Sequence, residues 1–141
     1  MQSDKKAAVI ILIKDDSTLL QLRDDKPGIS HPGHWAVIGG MANEGEDAEA
    51  AAIRELKEET GYVSKSPVKF MIEIYKSPSG GLVEAHRFYD YYDGKQEIHC
   101  FEGKNVEWKT LQEIDDLKMI ETQRYAAKAA IELANKPSQN F

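Results

Sequence analysis

One stretch, residues 40–62, constrains the fold and chemistry of this chain more than any other segment. It opens with a glycine pair, Gly39-Gly40, and closes with Gly61, and no Gly or Pro interrupts residues 46–60. Those residues are rich in Ala, Glu, Leu and Arg, which are good helix formers. Gly61 stands where a C-cap glycine is expected. The stretch therefore predicts a glycine turn followed by a single helix over residues 46–60.

The last two turns of this helix carry three carboxylates. Glu55, Glu58 and Glu59 are spaced i, i+3 and i+4, which places them on one face. One and two turns earlier, that face carries only small apolar residues: Ala48, Ala51 and Ala52. The alanines predict a face turned toward packed structure, where carboxylates repel one another more than on an exposed helix. A divalent cation would remove the repulsion, because Mg²⁺ prefers carboxylate and water oxygens and shares them with substrate phosphates. The alternative is a solvated acidic face.

The spacing of the whole stretch favours the metal over the solvated face. Its defined positions, in chain order, are Gly40, Glu46, Arg54, Glu55, Leu56, Glu58, Glu59, Gly61 and Tyr62. This pattern resembles the signature box of the Nudix hydrolases at every defined position but the last. At that position Tyr62 replaces the usual aliphatic residue, and just before the box Ile38 replaces the usual proline of a Pro-Gly-Gly turn.

The resemblance implies both a fold and a reaction. The fold is an α/β/α sandwich around a mixed, mainly antiparallel sheet. The reaction is the attack of water on a nucleoside diphosphate linked to a group X, which releases a nucleoside monophosphate and phosphorylated X. A nucleoside triphosphate pyrophosphohydrolase of MutT type is the preferred interpretation. A hydrolase of nucleoside diphosphate sugars or ADP-ribose and a non-catalytic nucleotide- or RNA-sensing module are the alternatives, although a sensing module would be expected to lose box acids.

The same resemblance implies roles for residues of the box, with Mg²⁺ or Mn²⁺ as the cofactor. Glu58 and Glu59 correspond to the core metal ligands, and Glu55 to a further ligand or the general base. Arg54 corresponds to the residue that pairs with a box glutamate and orients it. Glu46 corresponds to a residue that braces the loop. Gly40 corresponds to a residue whose main-chain carbonyl ligates the metal in some members.

A further ligand is expected from outside the box. Glu102-Gly103 stands six residues before Trp108, and this arrangement resembles the Glu-Gly…Trp pattern of MutT-like members. Glu102 is therefore predicted to be the outer metal ligand. Glu97 and Glu84 are the alternatives.

The loop before the box, residues 24–35, is predicted to contact substrate. Its sequence DDKPGISHPGHW holds the glycine and proline breakers of an irregular segment. Arg23, His34 and Trp35 are the predicted substrate-binding residues, although Trp35 also suits a core anchor. His31 and His34 have no third ligand in sight, so the pair is not interpreted as a metal site.

The rest of the chain predicts an α/β domain with mainly antiparallel pairing. Apolar and alternating runs predict strands at 7–13, 19–23, 36–38, 68–75, 82–92, 97–101 and 106–109. A capping box at Thr110 and Glu113 predicts a short helix to residue 117. A closing helix over 120–135 is predicted to bury four positions: Ile120, Tyr125, Ala129 and Leu133. The tail 137–141 is predicted to fray.

Length and charge narrow the class of protein. The 141 residues fit one domain over 1–141, and a net charge of −6 argues against stable nucleic-acid binding. A nucleotide substrate remains compatible, because a bound divalent ion inverts the local charge. A single cysteine, Cys100, excludes an internal disulfide. No apolar run is long enough to span a membrane and no secretory signal is present, so the cytoplasm is the expected location. The aromatic run 88–92 could lie in the core or at a homodimer interface.

Overall fold

The computed structural model describes residues 5–136, which form a mixed sheet between helices. The strands are β1 (Lys5–Lys14), β2 (Ser17–Leu22), β3 (Trp35–Ala36), β4 (Gly39–Met41), β5 (Val68–Lys76), β6 (Leu82–Tyr91) and β7 (Asn105–Thr110). The helices are α1 (Ala48–Thr60), α2 (Leu111–Asp115) and α3 (Glu121–Ala134). None of these helices is long and apolar enough to cross a membrane. The predicted frayed tail lies outside the described residues.

Strand β1 lies at the centre of the sheet. It runs parallel to β6 and pairs antiparallel with β2 and β4. Outward from β1, β6 pairs antiparallel with β5, while β2 pairs antiparallel with β3 and β7. The predicted mixed, mainly antiparallel sheet is therefore confirmed.

Alternation along β1 builds two apolar layers, one on each face of the sheet. Ile10 and Leu12 point toward α1, and Ile11 and Ile13 point toward α3, all at most 1% exposed. Each fully buried aliphatic side chain contributes roughly 1.5–3 kcal/mol relative to exposure. The two layers make the α/β/α sandwich that the sequence resemblance implied.

Helix α1 begins two residues later than predicted and ends as predicted. Asp47 is the N-cap, and its Oδ1 accepts a hydrogen bond from Ala50 N at 2.8 Å. Gly61 is the C-cap with φ of +82°, and its N–H donates to Lys57 O. The inward alanine face is confirmed, because its three residues are at most 6% exposed: Ala48, Ala51 and Ala52.

The predicted strand over 97–101 is wrong. Instead, the N–H groups of His99 and Phe101 donate to the carbonyls of Thr60 and Glu59, each at 2.9 Å. The last carbonyls of a helix have no intrahelical partner. Segment 97–101 supplies such partners to α1, and so it lies at the end of the helix rather than in the sheet.

The predicted buried face of the closing helix is wrong at two positions. Tyr125 and Leu133 are 66% and 43% exposed. The residues packed against the sheet are Ala126, Ala127, Ala130 and Ile131. Small side chains let α3 approach the sheet closely, so the larger residues are displaced to the outer face. The capping box at Thr110 and Glu113 is confirmed, and it starts α2.

Two departures from the usual box are accommodated in the α1 layer. Tyr62 is 2% exposed, and its hydroxyl accepts from Asp93 N at 2.9 Å and donates to Tyr91 O at 3.3 Å. Ile38 is 1% exposed in the same layer. A tyrosine can replace an aliphatic residue here because its hydroxyl finds two partners. Of the aromatic run 88–92, Phe88 belongs to this core, whereas Tyr91 is 53% exposed.

Candidate active site

Gly40 brings the turn before α1 into contact with the helix. A Cβ atom at this position would stand 2.7–2.8 Å from the Glu55 carboxyl group. No larger residue fits without displacing that side chain. The close approach places the main chain of Gly40 beside the Glu55 carboxylate. The sequence predicted that both groups could contact a metal.

Arg54 fastens the loop before α1 to the helix. Its Nε and Nη2 atoms donate to both carboxylate oxygens of Glu46, each at 2.9 Å, and Nη2 also donates to Met41 O at 3.1 Å. Glu46 accepts a further bond from Asn43 N at 2.8 Å. The Arg54 guanidinium and the Asn43 N–H lower the pKa of Glu46 to about 2. Glu46 therefore lies where the sequence predicted a loop brace.

The remaining nitrogen of Arg54 reaches the C-terminal half of the helix. Nη1 lies 3.1 Å from Glu55 Oε1 and 3.2 Å from Glu58, the predicted i, i+4 contact. The three carboxylates do not share one environment: the Glu58 side chain is 56% exposed, whereas Glu59 is 5% exposed. The prediction of a uniformly inward face is therefore wrong at Glu58, which lies at the helix edge beside Arg54.

Glu59 is the most unusual carboxylate in the structure. Its Oε2 is buried and has no hydrogen-bond partner in the described part of the chain. Burial, and then the carboxylates of Glu102 and Glu55, raise the pKa of Glu59 to about 9. Burial also raises the pKa of Glu55, although Arg54 opposes that shift. Both shifts come from carboxylates crowded into a poorly solvated place.

Glu102 comes to this place from a distant part of the chain. Gln21 Nε2 donates to Glu102 O at 2.9 Å, which holds the Glu102-Gly103 turn against β2. The two alternative ligands have partners elsewhere: Glu97 lies 3.4 Å from His99, and Glu84 lies 2.5 Å from His86. The structure therefore brings Glu102 to Glu59.

A cleft of about 180 Å³ opens beside these acids, and we call it the acid cleft. Its lining residues are Gln21, Arg23, Asp24, Ile29, Glu59, Glu102 and Gly103. Arg23 is thus placed as predicted, and its Nε donates to Ser30 O at 2.9 Å. Sequence reasoning did not identify Gln21, although a polar residue inside the apolar strand β2 was a usable signal.

The other two predicted substrate residues lie outside the acid cleft. His34 Nδ1 is 3.1 Å from Pro32 O, within the loop itself. Trp35 packs with the core layer on the α3 side, and Lys109 Nζ lies 4.6 Å from its ring centroid. Trp35 therefore takes the core-anchor position that the sequence left open, because β3 turns its side chain toward α3.

The residues present fit a hard divalent cation. Carboxylate oxygens are the ligands that Mg²⁺ and Mn²⁺ prefer, and Glu59, which has one unpartnered oxygen, lies near the Glu102 carboxylate. Within residues 5–136, no three His, Cys, Asp or Glu side chains are already grouped as a metal site. Arg54 engages Glu55 and Glu58, and each carboxylate has about four lone-pair sites, so these contacts leave room for a cation.

Comparison with known proteins decides the family. The family model for the NUDIX domain matches residues 4–130, nearly the whole chain. The chain belongs to the NUDIX domain family. The resemblance carried by the box is therefore confirmed, and Glu55 of the box lies near Glu59 in this NUDIX chain.

Three relatives illustrate the similarity. A Bacillus subtilis (strain 168) protein provisionally named an 8-oxo-dGTP diphosphatase is 38% identical over 65% of this chain and 56% of its own. An ADP-ribose pyrophosphatase of Methanocaldococcus jannaschii is 41% identical over 48% of this chain and 37% of its own. The chain spans about half the length of the curated relatives it matches. The crystal structure of a MutT NUDIX hydrolase from Burkholderia pseudomallei superposes with a TM-score of 0.75 at 20% identity, covering 88% of this chain and 95% of that one, and it shows the common fold.

Proposed function

We propose that this NUDIX chain hydrolyses a phosphoanhydride bond in a nucleoside diphosphate linked to X, with Mg²⁺ or Mn²⁺ bound. The observation that carries the proposal is the buried Glu59 carboxylate, with one oxygen unpartnered and Glu102 facing it. Two crowded carboxylates without a cation destabilise a fold, because their charge is poorly solvated. A fold that retains such unfavourable carboxylate burial is typical of a functional site rather than of structural packing.

Each side chain has a proposed part in the reaction. Glu58, Glu59 and Glu102 would hold the cation, with the Gly40 carbonyl beside them. When bound, the cation supplies charge for the phosphates and lowers the pKa of a bound water. Glu55 would act as a further ligand or would take the proton of the attacking water, since burial raises its pKa toward the range useful for a base.

Two arginines have separate proposed parts. Arg54 would hold Glu55 and Glu58 in orientation through its 3.1 Å and 3.2 Å contacts. Arg23 would bind substrate phosphate, because it lines the acid cleft and its side chain is anchored at Ser30. The positive charge of the guanidinium would pair with the negative charge of the nucleotide's polyphosphate.

A nucleoside triphosphate is the proposed substrate, as for enzymes of MutT type. The Bacillus subtilis relative bears a name that implies the same class. The second candidate, an ADP-ribose or nucleoside diphosphate sugar hydrolase, is supported by the Methanocaldococcus jannaschii relative. A non-catalytic sensing module is disfavoured, because every box acid is present.

One experiment tests the proposal. The protein would be incubated with Mg²⁺ and a panel of nucleoside triphosphates, nucleoside diphosphate sugars, ADP-ribose and dinucleoside polyphosphates, and the products would be identified by ion-pair chromatography. A nucleoside monophosphate with pyrophosphate is the expected pair. A monophosphate with a sugar phosphate would favour the second candidate, and the absence of any metal-dependent product would overturn the proposal.

We also propose that the protein forms a homodimer through the outer edge of β5. Within the described residues no strand pairs with that edge, and Ile72 and Ile74 are 51% and 58% exposed on it. Antiparallel pairing of two copies about Ile74 would cover these side chains and satisfy the unpaired main chain. Sedimentation velocity should report a dimer that Ile74→Lys converts to a monomer, and a monomeric parent protein would contradict the proposal. The cytoplasmic location and the lack of stable nucleic-acid binding stay predictions.

A further inference from the structure

Gln21 lies between the two parts of the chain that form the acid cleft. It belongs to β2, is 5% exposed, and pairs with Ala36 of β3 and Val106 of β7. Its Nε2 atom donates to Glu102 O at 2.9 Å, across a long stretch of sequence. The side chain thus connects a rigid strand in the sheet to the turn that carries Glu102, and it also contacts the Glu59 side chain.

A buried amide at this position has a cost that only its contacts can offset. Leaving a buried donor without a partner costs roughly 1–3 kcal/mol, so an apolar residue would be the simpler choice for packing. The other bonds to the Glu102 carbonyl do not replace Gln21: Cys100 Sγ lies 3.2 Å away, and a thiol is a weak donor.

The fit between Gln21 and the turn leaves little freedom. A Cβ atom on Gly103 would stand 2.7 Å from Leu22 O and 3.0 Å from Gln21 Cγ, and the φ of Gly103 is +80°. The turn can approach β2 this closely only with glycine at that position. Lys104 N donates to Leu22 O at 2.9 Å and completes the attachment. These contacts fix the main chain after Glu102, and the Phe101 N–H bond to Glu59 O fixes it before Glu102.

We propose that Gln21 is a positioning residue for the metal site: by holding the Glu102 carbonyl, it aims the Glu102 carboxylate at Glu59. This inference rests on the proposed function, because it assumes that these carboxylates bind the cation. Groups that orient metal ligands commonly contribute about 10–100-fold to metal affinity. Gln21 itself need not touch the ion.

The test measures Mn²⁺ binding without substrate, by the electron paramagnetic resonance signal of free Mn²⁺. Gln21→Met keeps the length of the side chain and removes the amide, and we expect the dissociation constant to rise by about tenfold or more. The matched control is Gln96→Met. Gln96 Nε2 donates to Val63 O at 3.0 Å, a bond between loops outside the acid cleft. Loss of this bond should therefore leave Mn²⁺ affinity within about twofold of the parent protein.

A double-mutant cycle separates positioning from a general structural effect. If Gln21 acts through Glu102, then Gln21→Met should add little to the loss caused by Glu102→Gln, because the carboxylate that it aims is already gone. Fully additive losses in Mn²⁺ affinity would overturn the inference. So would a parent-like affinity of Gln21→Met when Glu102→Gln alone binds weakly.

Two further measurements keep the outcome decisive. If Gln21→Met does not fold, as judged by circular dichroism, Gln21→Asn replaces it, since its amide is one methylene too short for the 2.9 Å bond. Failure of the proposed function has a different signature: Glu59→Gln and Glu102→Gln would both bind Mn²⁺ like the parent protein. In that case the assignment of the metal site fails, whatever Gln21 does.

Discussion

Glu59 and Glu102 both line the acid cleft, although one lies in the last turn of a helix and the other in a turn beside the sheet. Burial, together with the proximity of Glu102, raises the pKa of Glu59 to about 9. In the absence of a cation, the fold therefore holds Glu59 as a neutral acid at neutral pH.

Glu59→Gln should abolish turnover and stabilise the metal-free protein. At pH 8 the folded protein must keep a proton on Glu59 that the unfolded chain releases, and the amide removes this cost, so we expect a gain on the order of 1–3 kcal/mol, since each pKa unit corresponds to about 1.4 kcal/mol. Urea unfolding in the presence of EDTA measures the gain. Glu49→Gln on the exposed first turn of α1 is the control, and it should neither stabilise the fold nor slow the reaction. A destabilised Glu59→Gln protein would contradict the account.

Added metal should remove the fall in stability with rising pH that Glu59 causes. In the folded, metal-free protein, Glu59 keeps its proton up to a pH of about 9, whereas the unfolded chain releases it near the ordinary value of 4.5. The folded state thus binds more protons between these values, and its stability should fall as the pH rises through that window. A cation that replaces the proton binds more tightly as the pH rises. Thermal unfolding at pH 6.0 and pH 8.5, with EDTA or Mg²⁺, should show the largest Mg²⁺ stabilisation at pH 8.5. Equal shifts at both values would count against Glu59 as a ligand.

Local patterns predicted the α1 end of the site, and long-range packing explains the rest. The helix, its Gly61 cap and the acids near its end follow from residue spacing within one segment. Glu102 was also predicted, because a second short pattern marks it. The contact of Gln21 with Glu102 and the packing of Trp35 on the α3 side could not be predicted from local patterns, because each depends on which strands lie side by side. Segment 97–101 has the apolar alternation of a strand, but its main chain hydrogen-bonds the end of α1 instead.

Arg54→Lys should lower kcat/KM by roughly tenfold or more, because outer contacts of metal ligands commonly contribute 10–100-fold. Lysine keeps the charge but cannot reproduce the paired 2.9 Å bonds to Glu46 while also reaching Glu55 and Glu58. Steady-state kinetics at saturating Mg²⁺ measures the loss. Arg124→Lys is the control: that arginine pairs with Glu121 on α3, outside the acid cleft, and its replacement should leave kcat/KM near the parent value. Equal effects of the two changes would contradict an orienting role for Arg54.

Tyr62→Phe should destabilise the fold and leave the chemistry alone. The change removes the hydroxyl that accepts from Asp93 N and donates to Tyr91 O inside the α1 layer. Both bonds are part-buried, and a hydrogen bond contributes about 0.5–1.5 kcal/mol net, so their loss should cost about 1–3 kcal/mol in total while the ring still packs. Tyr125→Phe is the matched control, because Tyr125 is 66% exposed on α3 and its change should be neutral. Urea unfolding and kcat measured on the same preparations check both halves. A normal stability for Tyr62→Phe would mean that the hydroxyl does not explain how a tyrosine occupies the usual aliphatic position of the box.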